Sequence, residues 1–124
     1  MNSTSSKVYD LKRRTYLFAI SIVKSLERLQ RDYIAETLGK QLLRAATSIG
    51  ANVVEAQASS SKRDFANFYS YALKSANETI FWMGLLKDVG KVPSEEAQPL
   101  LDEARELANI LASSLLTMKG KRSS

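Results

Sequence analysis

Apolar residues recur every three to four positions along most of the chain, and this helical period restricts its fold more than any other feature. Ser61 and Asp64 have the spacing of an N-terminal capping box, and Gly90 is a typical residue for the end of a helix. No stretch shows the strict alternation of a β-strand. We therefore predict an all-α protein, an antiparallel up-down-up-down four-helix bundle. The four segments lie at about residues 10–29, 35–58, 62–89 and 100–118.

A chain of 124 residues is long enough to bury a core without a metal or a disulfide. We expect a single domain over residues 1–124, with frayed ends at about residues 1–8 and 119–124. Pro99 would interrupt the backbone hydrogen bonds of a fourth helix that began at Ser94. The first turn of that helix is therefore expected to be separate or kinked.

The first helix carries apolar residues on more than one side, and residues 16–20 are apolar without interruption. A helix that buries one face shows a single apolar stripe. We therefore expect this helix to bury one face in its own bundle and another face elsewhere. That expectation favours self-association.

The second helix is thin and polar from Arg44 to Ala56, where the sequence reads RAATSIGANVVEA. Gly39 and Gly50 each cost about 1 kcal/mol inside a helix relative to alanine, and close approach of a neighbouring helix is the expected compensation. On the third helix, Glu78 lies on a partly buried stripe, where a carboxylate needs a cation or several donors. We expect a structural polar cluster that joins the second and third helices. Its predicted members are Arg44, Asn52, Glu55 and Glu78.

The chain has no cysteine and no histidine, which excludes thiol nucleophiles, disulfides, Cys/His zinc sites and imidazole catalysis. A di-iron site in a helix bundle needs histidines as well as glutamates, so Glu55 and Glu78 are not expected to form one. The five glycines form no phosphate-binding loop. We expect no enzyme activity, no catalytic residue, no cofactor and no metal. A general acid–base pair would need a pocket that the sequence does not indicate.

The longest apolar run, residues 16–20, is far shorter than the roughly 20 residues of a membrane span. The first residues, MNSTSSK, lack the apolar core of a signal peptide. We expect a cytoplasmic protein that does not enter a membrane.

Charge is unevenly distributed along the chain, whose net charge is +5. Basic residues come in three groups: one in the first turns of the first helix, one in the first turn of the third helix and one at residues 119–122. Cations at the start of a helix oppose its dipole, and an arriving phosphate would relieve that repulsion and release counterions. No aromatic residue interleaves these groups, so base stacking is not indicated. The predicted nucleic-acid contacts are Lys12, Arg13, Arg14, Lys62 and Arg63, and an ordinary solvated surface is the alternative.

Four motifs follow one another in residues 41–86: R-x-A-x-S-I-x-A-N-x-x-E-A at 44–56, S-x-x-D-F at 61–65, A-L-K-x-A-x-E-T at 72–79 and W-x-x-L-L at 82–86. In this order and spacing they resemble the four-helix-bundle family encoded in intervening sequences of bacterial 23S rRNA genes, which is related to the accessory variability determinants of diversity-generating retroelements. Ala56 stands where glycine is common, and the fourth helix matches only in its general pattern.

The resemblance implies a ring-like homopentamer with a basic surface, and its retroelement relatives bind nucleic acid and partner with a reverse transcriptase. We therefore expect a non-enzymatic homo-oligomer that binds RNA or DNA through phosphate contacts. The alternative is a protein-interaction scaffold or adaptor, for example for a reverse transcriptase, with no direct role in nucleic-acid binding. Salt separates the two, because phosphate binding weakens steeply with ionic strength.

Overall fold

The computed structural model describes the backbone of residues 3–123 and the side chains of residues 11–120. Within that range the chain forms four α-helices and no β-strand, which confirms the predicted all-α four-helix bundle. The helices are α1 (Ser3–Glu27), α2 (Tyr33–Ala58), α3 (Lys62–Asp88) and α4 (Ser94–Ser123).

Consecutive helices run antiparallel. Gly50 lies against Thr15, whereas Gly39 lies against Leu26 and Leu29, so α1 and α2 point in opposite directions. Helix α2 also packs on α3, and α3 packs on α4; α1 meets α4 over a shorter stretch and, in the described chain, lies diagonally across the bundle from α3. The starts of α1 and α3 and the ends of α2 and α4 therefore share one end of the bundle.

Side chains cap the starts of two helices. The Asp32 carboxylate accepts a hydrogen bond from the backbone N–H of Ala35 at 2.8 Å and so begins α2. The Ser61 hydroxyl accepts from the backbone N–H of Asp64 at 3.1 Å and begins α3, as the sequence predicts. Each cap satisfies a backbone donor that has no partner inside the helix.

Helix α3 ends at Asp88, and Gly90 follows its C-cap, Val89, as the predicted stop residue. Gly90 has φ +78°, a left-handed conformation that favours glycine. The N–H of Lys91 donates to the carbonyl of Leu86 at 2.9 Å, and the N–H of Gly90 donates to that of Lys87 at 3.0 Å. This pair of bonds is a Schellman motif, and it turns the chain toward α4.

The bounds of α1 and α4 differ from the prediction. Helix α1 begins at Ser3 rather than near residue 10, and α4 runs unbroken from Ser94 through Pro99. The first turn is therefore not separate from the rest of α4, and a kink at Pro99 stays a prediction. Pro99 faces solvent in the second turn, so its ring removes one backbone hydrogen bond without disturbing the packed face. Fraying at 1–8 and 119–124 stays a prediction; residues 1, 2 and 124 lie outside the described residues.

One continuous hydrophobic core joins the four helices. Its large side chains include Leu42, Ile49 and Met83, and none of these is more than 1% exposed. Fully buried alanines occupy many core positions of α2 and α3, which gives both helices thin packed faces. The fully buried alanines on these two helices are Ala35, Ala45, Ala46, Ala56, Ala72 and Ala76. None of the described helices combines the length and the hydropathy that a membrane span requires.

Candidate nucleic-acid interface

Four of the predicted contact residues lie in the half of the bundle where α1 and α3 begin. Lys12 and Arg13 are on α1, and Lys62 and Arg63 form the first turn of α3. All four side chains are exposed. None of them makes an ion pair with a side chain between residues 11 and 120. We call these four residues the basic end.

The third basic group extends toward the same end, at the close of α4. Lys119 is exposed there, and the side chains of Lys121 and Arg122 lie outside the described residues. The opposite end of the bundle mixes its charges instead. It carries Lys24, Arg28, Arg31, Lys87 and Lys91 together with Glu27, Asp32, Glu36, Asp88, Glu95 and Glu96.

The structure places Arg14 in a different role. Its Nε and Nη2 donate to the two carboxylate oxygens of Glu103 on α4, each at 2.8 Å, and Glu106 lies 3.8 Å away. The hydrogen bonds to Glu103 raise the pKa of Arg14. The Arg14 side chain is only 27% exposed, so it joins α1 to α4. Arg14 is therefore a structural residue rather than a candidate phosphate contact.

The structure brings together two members of the predicted polar cluster. Arg44 on α2 forms an ion pair with Glu78 on α3, and its Nε and Nη2 also donate to Gln41 at 3.2 and 3.0 Å. The indole N–H of Trp82 donates to Glu78 at 3.0 Å. The hydrogen bonds from Arg44 and then Trp82 lower the pKa of Glu78, despite some desolvation. This network fixes α2 against α3 at one level.

The other two members do not join that network. The Asn52 amide donates to the backbone carbonyl of Ser48 at 2.8 Å, within α2 itself. Glu55 is exposed and makes no hydrogen bond or ion pair with any described side chain. The hydroxyls of Thr47 and Ser48 likewise donate to carbonyls one turn earlier in α2. The cluster is thus smaller than predicted, because short polar side chains in a helix bond to their own backbone.

A shallow apolar groove runs between α1 and α2 on the outside of the bundle. We call it the α1–α2 groove. Ile20 and Val23 continue the apolar strip along α1, and both are exposed. Helix α1 therefore buries one face in the protomer and leaves a second apolar face open. The groove is lined by Thr15, Tyr16, Ala19, Thr47, Gly50, Ala51 and Val54 and, at the end toward the start of α1, by Lys12 and Arg13.

Ion pairs between distant segments were missed at the sequence level. Lys91 in the α3–α4 turn donates to Asp32 in the α1–α2 turn at 2.9 Å, and Arg28 pairs with Glu96. The backbone N–H of Ala35 and then Lys91 lower the pKa of Asp32. Such pairs leave no local spacing signal, because their partners lie 59 and 68 residues apart.

The described residues contain no group of three or more carboxylates that could hold a metal ion. The candidate site consists of three features: the exposed cations of the basic end, the α1–α2 groove and the Arg44–Glu78 network.

Comparison with known proteins agrees with this architecture. Residues 7–113 match the model of the 23S rRNA-intervening sequence protein family. A crystal structure of a protein of unknown function from the S23 ribosomal protein family of Bacteroides thetaiotaomicron is 35% identical, with a TM-score of 0.77. The match covers 85% of this chain and 97% of that one. No curated protein matches the chain.

Proposed function

Because the chain belongs to the 23S rRNA-intervening sequence protein family, we propose that it is a non-enzymatic protein that binds RNA or DNA through phosphate contacts at its basic end. The observation that carries this proposal is the set of four exposed cations without acidic partners among the described side chains. They belong to two helices whose starts share one end of the bundle.

Local electrostatics support phosphate as the ligand. Lys62 and Arg63 occupy the first turn of α3, where the helix dipole is positive and repels them. A phosphate at that position would interact favourably with both side chains and with the dipole. Each cation that neutralises a phosphate also releases condensed counterions, which favours binding at low salt.

We further propose that the chain assembles with copies of itself, as a ring of five, through the α1–α2 groove. The second apolar face of α1 supports this, since Tyr16, Ile20 and Val23 remain exposed in the protomer. A contiguous apolar surface of this kind is typical of an interface. The number five comes from the family resemblance and not from the geometry of one chain.

Sedimentation velocity tests the assembly. Val54→Glu places a charge in the groove, where Val54 is exposed, and is expected to lower the sedimenting mass of the wild-type oligomer. Leu116→Glu, on an exposed site of α4 outside the groove, is the matched control and should leave the mass unchanged. A monomeric wild type, or an unchanged mass for Val54→Glu, would contradict the proposed interface.

Fluorescence anisotropy of labelled duplex DNA and structured RNA tests the binding. Replacement of Lys12, Arg13, Lys62 and Arg63 by alanine is expected to weaken binding strongly. Because Lys12 and Arg13 also line the α1–α2 groove, sedimentation velocity must show that the variant keeps the oligomeric state of wild type. The matched control removes the same charge from the opposite end of the bundle and should retain binding. It replaces Lys24, Arg31, Lys40 and Lys87 by alanine.

Two outcomes would contradict phosphate binding at the basic end. Wild-type protein that binds neither nucleic acid at low salt would exclude it and would favour the adaptor function. Equal loss of binding in both variants would show that net charge, rather than the basic end, attracts the nucleic acid.

A further inference from the structure

Two exposed aromatic rings flank a pair of cations on the outside of α2 and α3. Tyr71 is 56% exposed and Phe81 is 60% exposed. Lys74 and Glu78 lie between them on α3 at spacings of three and four residues, so the four side chains share one side of the helix. Arg44 of α2 reaches the same side through its ion pair with Glu78. We call these five residues the α2–α3 face.

Both exposed rings contact partly buried aromatic neighbours. Phe68 lies 6.2 Å from Tyr71, and Trp82 lies 4.9 Å from Phe81, measured between ring centroids. In each pair the planes are nearly perpendicular. Phe68 and Trp82 pack against the hydrophobic core. The exposed rings are therefore pre-positioned, which lowers the entropy lost when a flat ligand stacks on them.

The two cations of the α2–α3 face, Arg44 and Lys74, have hydrogen-bond donors that other described residues do not use. The Arg44 side chain is 54% exposed, and its hydrogen bonds to Gln41 and Glu78 use Nε and Nη2. Its Nη1 donates to no atom of the described residues. Lys74 is exposed and makes no ion pair there. With Glu78 as the one carboxylate, the face keeps an excess of positive charge.

We propose that the α2–α3 face binds a single strand of nucleic acid, with bases stacked on Tyr71 and Phe81 and phosphates held by Arg44 and Lys74. The inference rests on the proposed function and adds a second surface to it, one that distinguishes single strands from duplexes. Aromatic rings interleaved with cations are how proteins bind single strands without sequence preference. In a duplex the bases are already stacked on each other, so no free base would be available to stack on Tyr71 or Phe81.

The spacing of the rings fits two separate bases. Ten residues of α-helix separate Tyr71 from Phe81, a rise of about 15 Å, whereas bases stacked in a duplex are about 3.4 Å apart. The strand must therefore lie extended along α3, with its backbone passing the two cations. A protein partner is disfavoured because charged groups separate the rings, so they form no contiguous apolar patch.

Anisotropy with labelled oligouridine and a labelled RNA duplex of equal length tests this face. Tyr71→Ala with Phe81→Ala is expected to lower the affinity for oligouridine by about 25-fold or more, since each lost stack is worth about 5-fold at least. Affinity for the duplex should not change. Tyr71→Trp with Phe81→Trp keeps both rings and should retain oligouridine binding. Tyr33→Ala, at an exposed ring on the opposite end of the bundle, is the matched control.

The outcomes separate this inference from the proposed function. Wild type that binds the duplex but not oligouridine would overturn the inference alone, and so would an alanine double variant that binds oligouridine as wild type does. Wild type that binds neither probe would overturn both. Circular dichroism and the melting temperature of each variant show whether it is folded.

The wild-type protein supplies a second readout. Trp82 is the only tryptophan in the chain and contacts the ring of Phe81. A base stacked on Phe81 should change the fluorescence of Trp82, whereas a duplex bound at the basic end should leave it unchanged. Unchanged emission with saturating oligouridine would overturn the inference without any substitution.

Discussion

Helix α2 forms two outer faces with its neighbours, and they are built differently. Toward α3, the Arg44–Glu78 ion pair and the indole of Trp82 close the outside of the contact with polar groups. Toward α1, the contact depends on Gly50 and leaves the apolar α1–α2 groove open beside it. Helix α2 thus makes a contact with α3 whose outside is covered by polar groups, which we call the sealed contact. Its contact with α1 leaves apolar side chains exposed. Only the contact with α1 leaves a contiguous apolar groove for another chain.

The largest expected effect separates the packed side of α2 from its groove side. Ile49 is fully buried, so Ile49→Ala should reduce the free energy of unfolding by about 2–5 kcal/mol. Val54 is 44% exposed in the protomer, so at concentrations where the protein is monomeric Val54→Ala should stay within about 0.5 kcal/mol of wild type. Urea denaturation over a range of protein concentrations measures both. If Ile49→Ala and Val54→Ala lost the same free energy of unfolding at every protein concentration, the α1–α2 groove would be closed within the protomer.

The next effect concerns the close approach of α1 and α2. A Cβ at position 50 would meet the Thr15 Oγ1 at 3.2 Å, and Thr15 is buried and already donates to the carbonyl of Lys12. Gly50→Leu should therefore destabilise the fold by about 1–3 kcal/mol, measured by thermal unfolding. Gly84→Ala is the control, because no heavy atom lies within 4 Å of its Cβ position. It should stabilise α3 by up to about 1 kcal/mol. If the Gly50→Leu protein were as stable as wild type and formed the same oligomer, the close approach of α1 and α2 at Gly50 would not be required.

A smaller effect distinguishes two adjacent arginines on α1. Arg14→Ala should cost about 1 kcal/mol of stability, because it removes a two-bond ion pair with Glu103. Arg13→Ala should cost nothing measurable in stability and should instead weaken nucleic-acid binding. Chemical denaturation and anisotropy on the same two variants give the comparison. If Arg13→Ala lowered stability and Arg14→Ala weakened binding, Arg13 would be the structural residue and Arg14 the nucleic-acid contact.

The smallest effect is the acid dependence of the sealed contact. Glu78 has a pKa below its ordinary value of 4.5 in the folded protein. The stability it contributes is therefore complete above pH 4.5 and is lost as the pH falls through the lower folded value. Glu78→Gln should flatten this part of the curve of unfolding free energy against pH. An acid limb as steep as that of wild type would show that other carboxylates determine it.

Much of the fold could be predicted from local sequence signals. The helical period, the Ser61 cap and the Gly90 stop act over a few residues, so they are visible without a structure. The roles of Arg14 and Glu55 were not visible in this way. Whether a cation meets a carboxylate on another helix depends on rotation and tilt, which periodicity does not specify. The exposure of Tyr71 and Phe81 was missed as well, because aromatic residues at helical spacing are expected to be buried.

The salt dependence of duplex DNA binding tests the basic end most directly. A plot of the logarithm of the affinity against the logarithm of the salt concentration should fall with a slope of about −0.9 for each phosphate neutralised. Alanine at Lys12, Arg13, Lys62 and Arg63 should reduce the magnitude of that slope by about 3 to 4 if all four contact phosphates. A wild-type affinity that does not change with salt, or equal slopes for the two proteins, would contradict phosphate binding at the basic end.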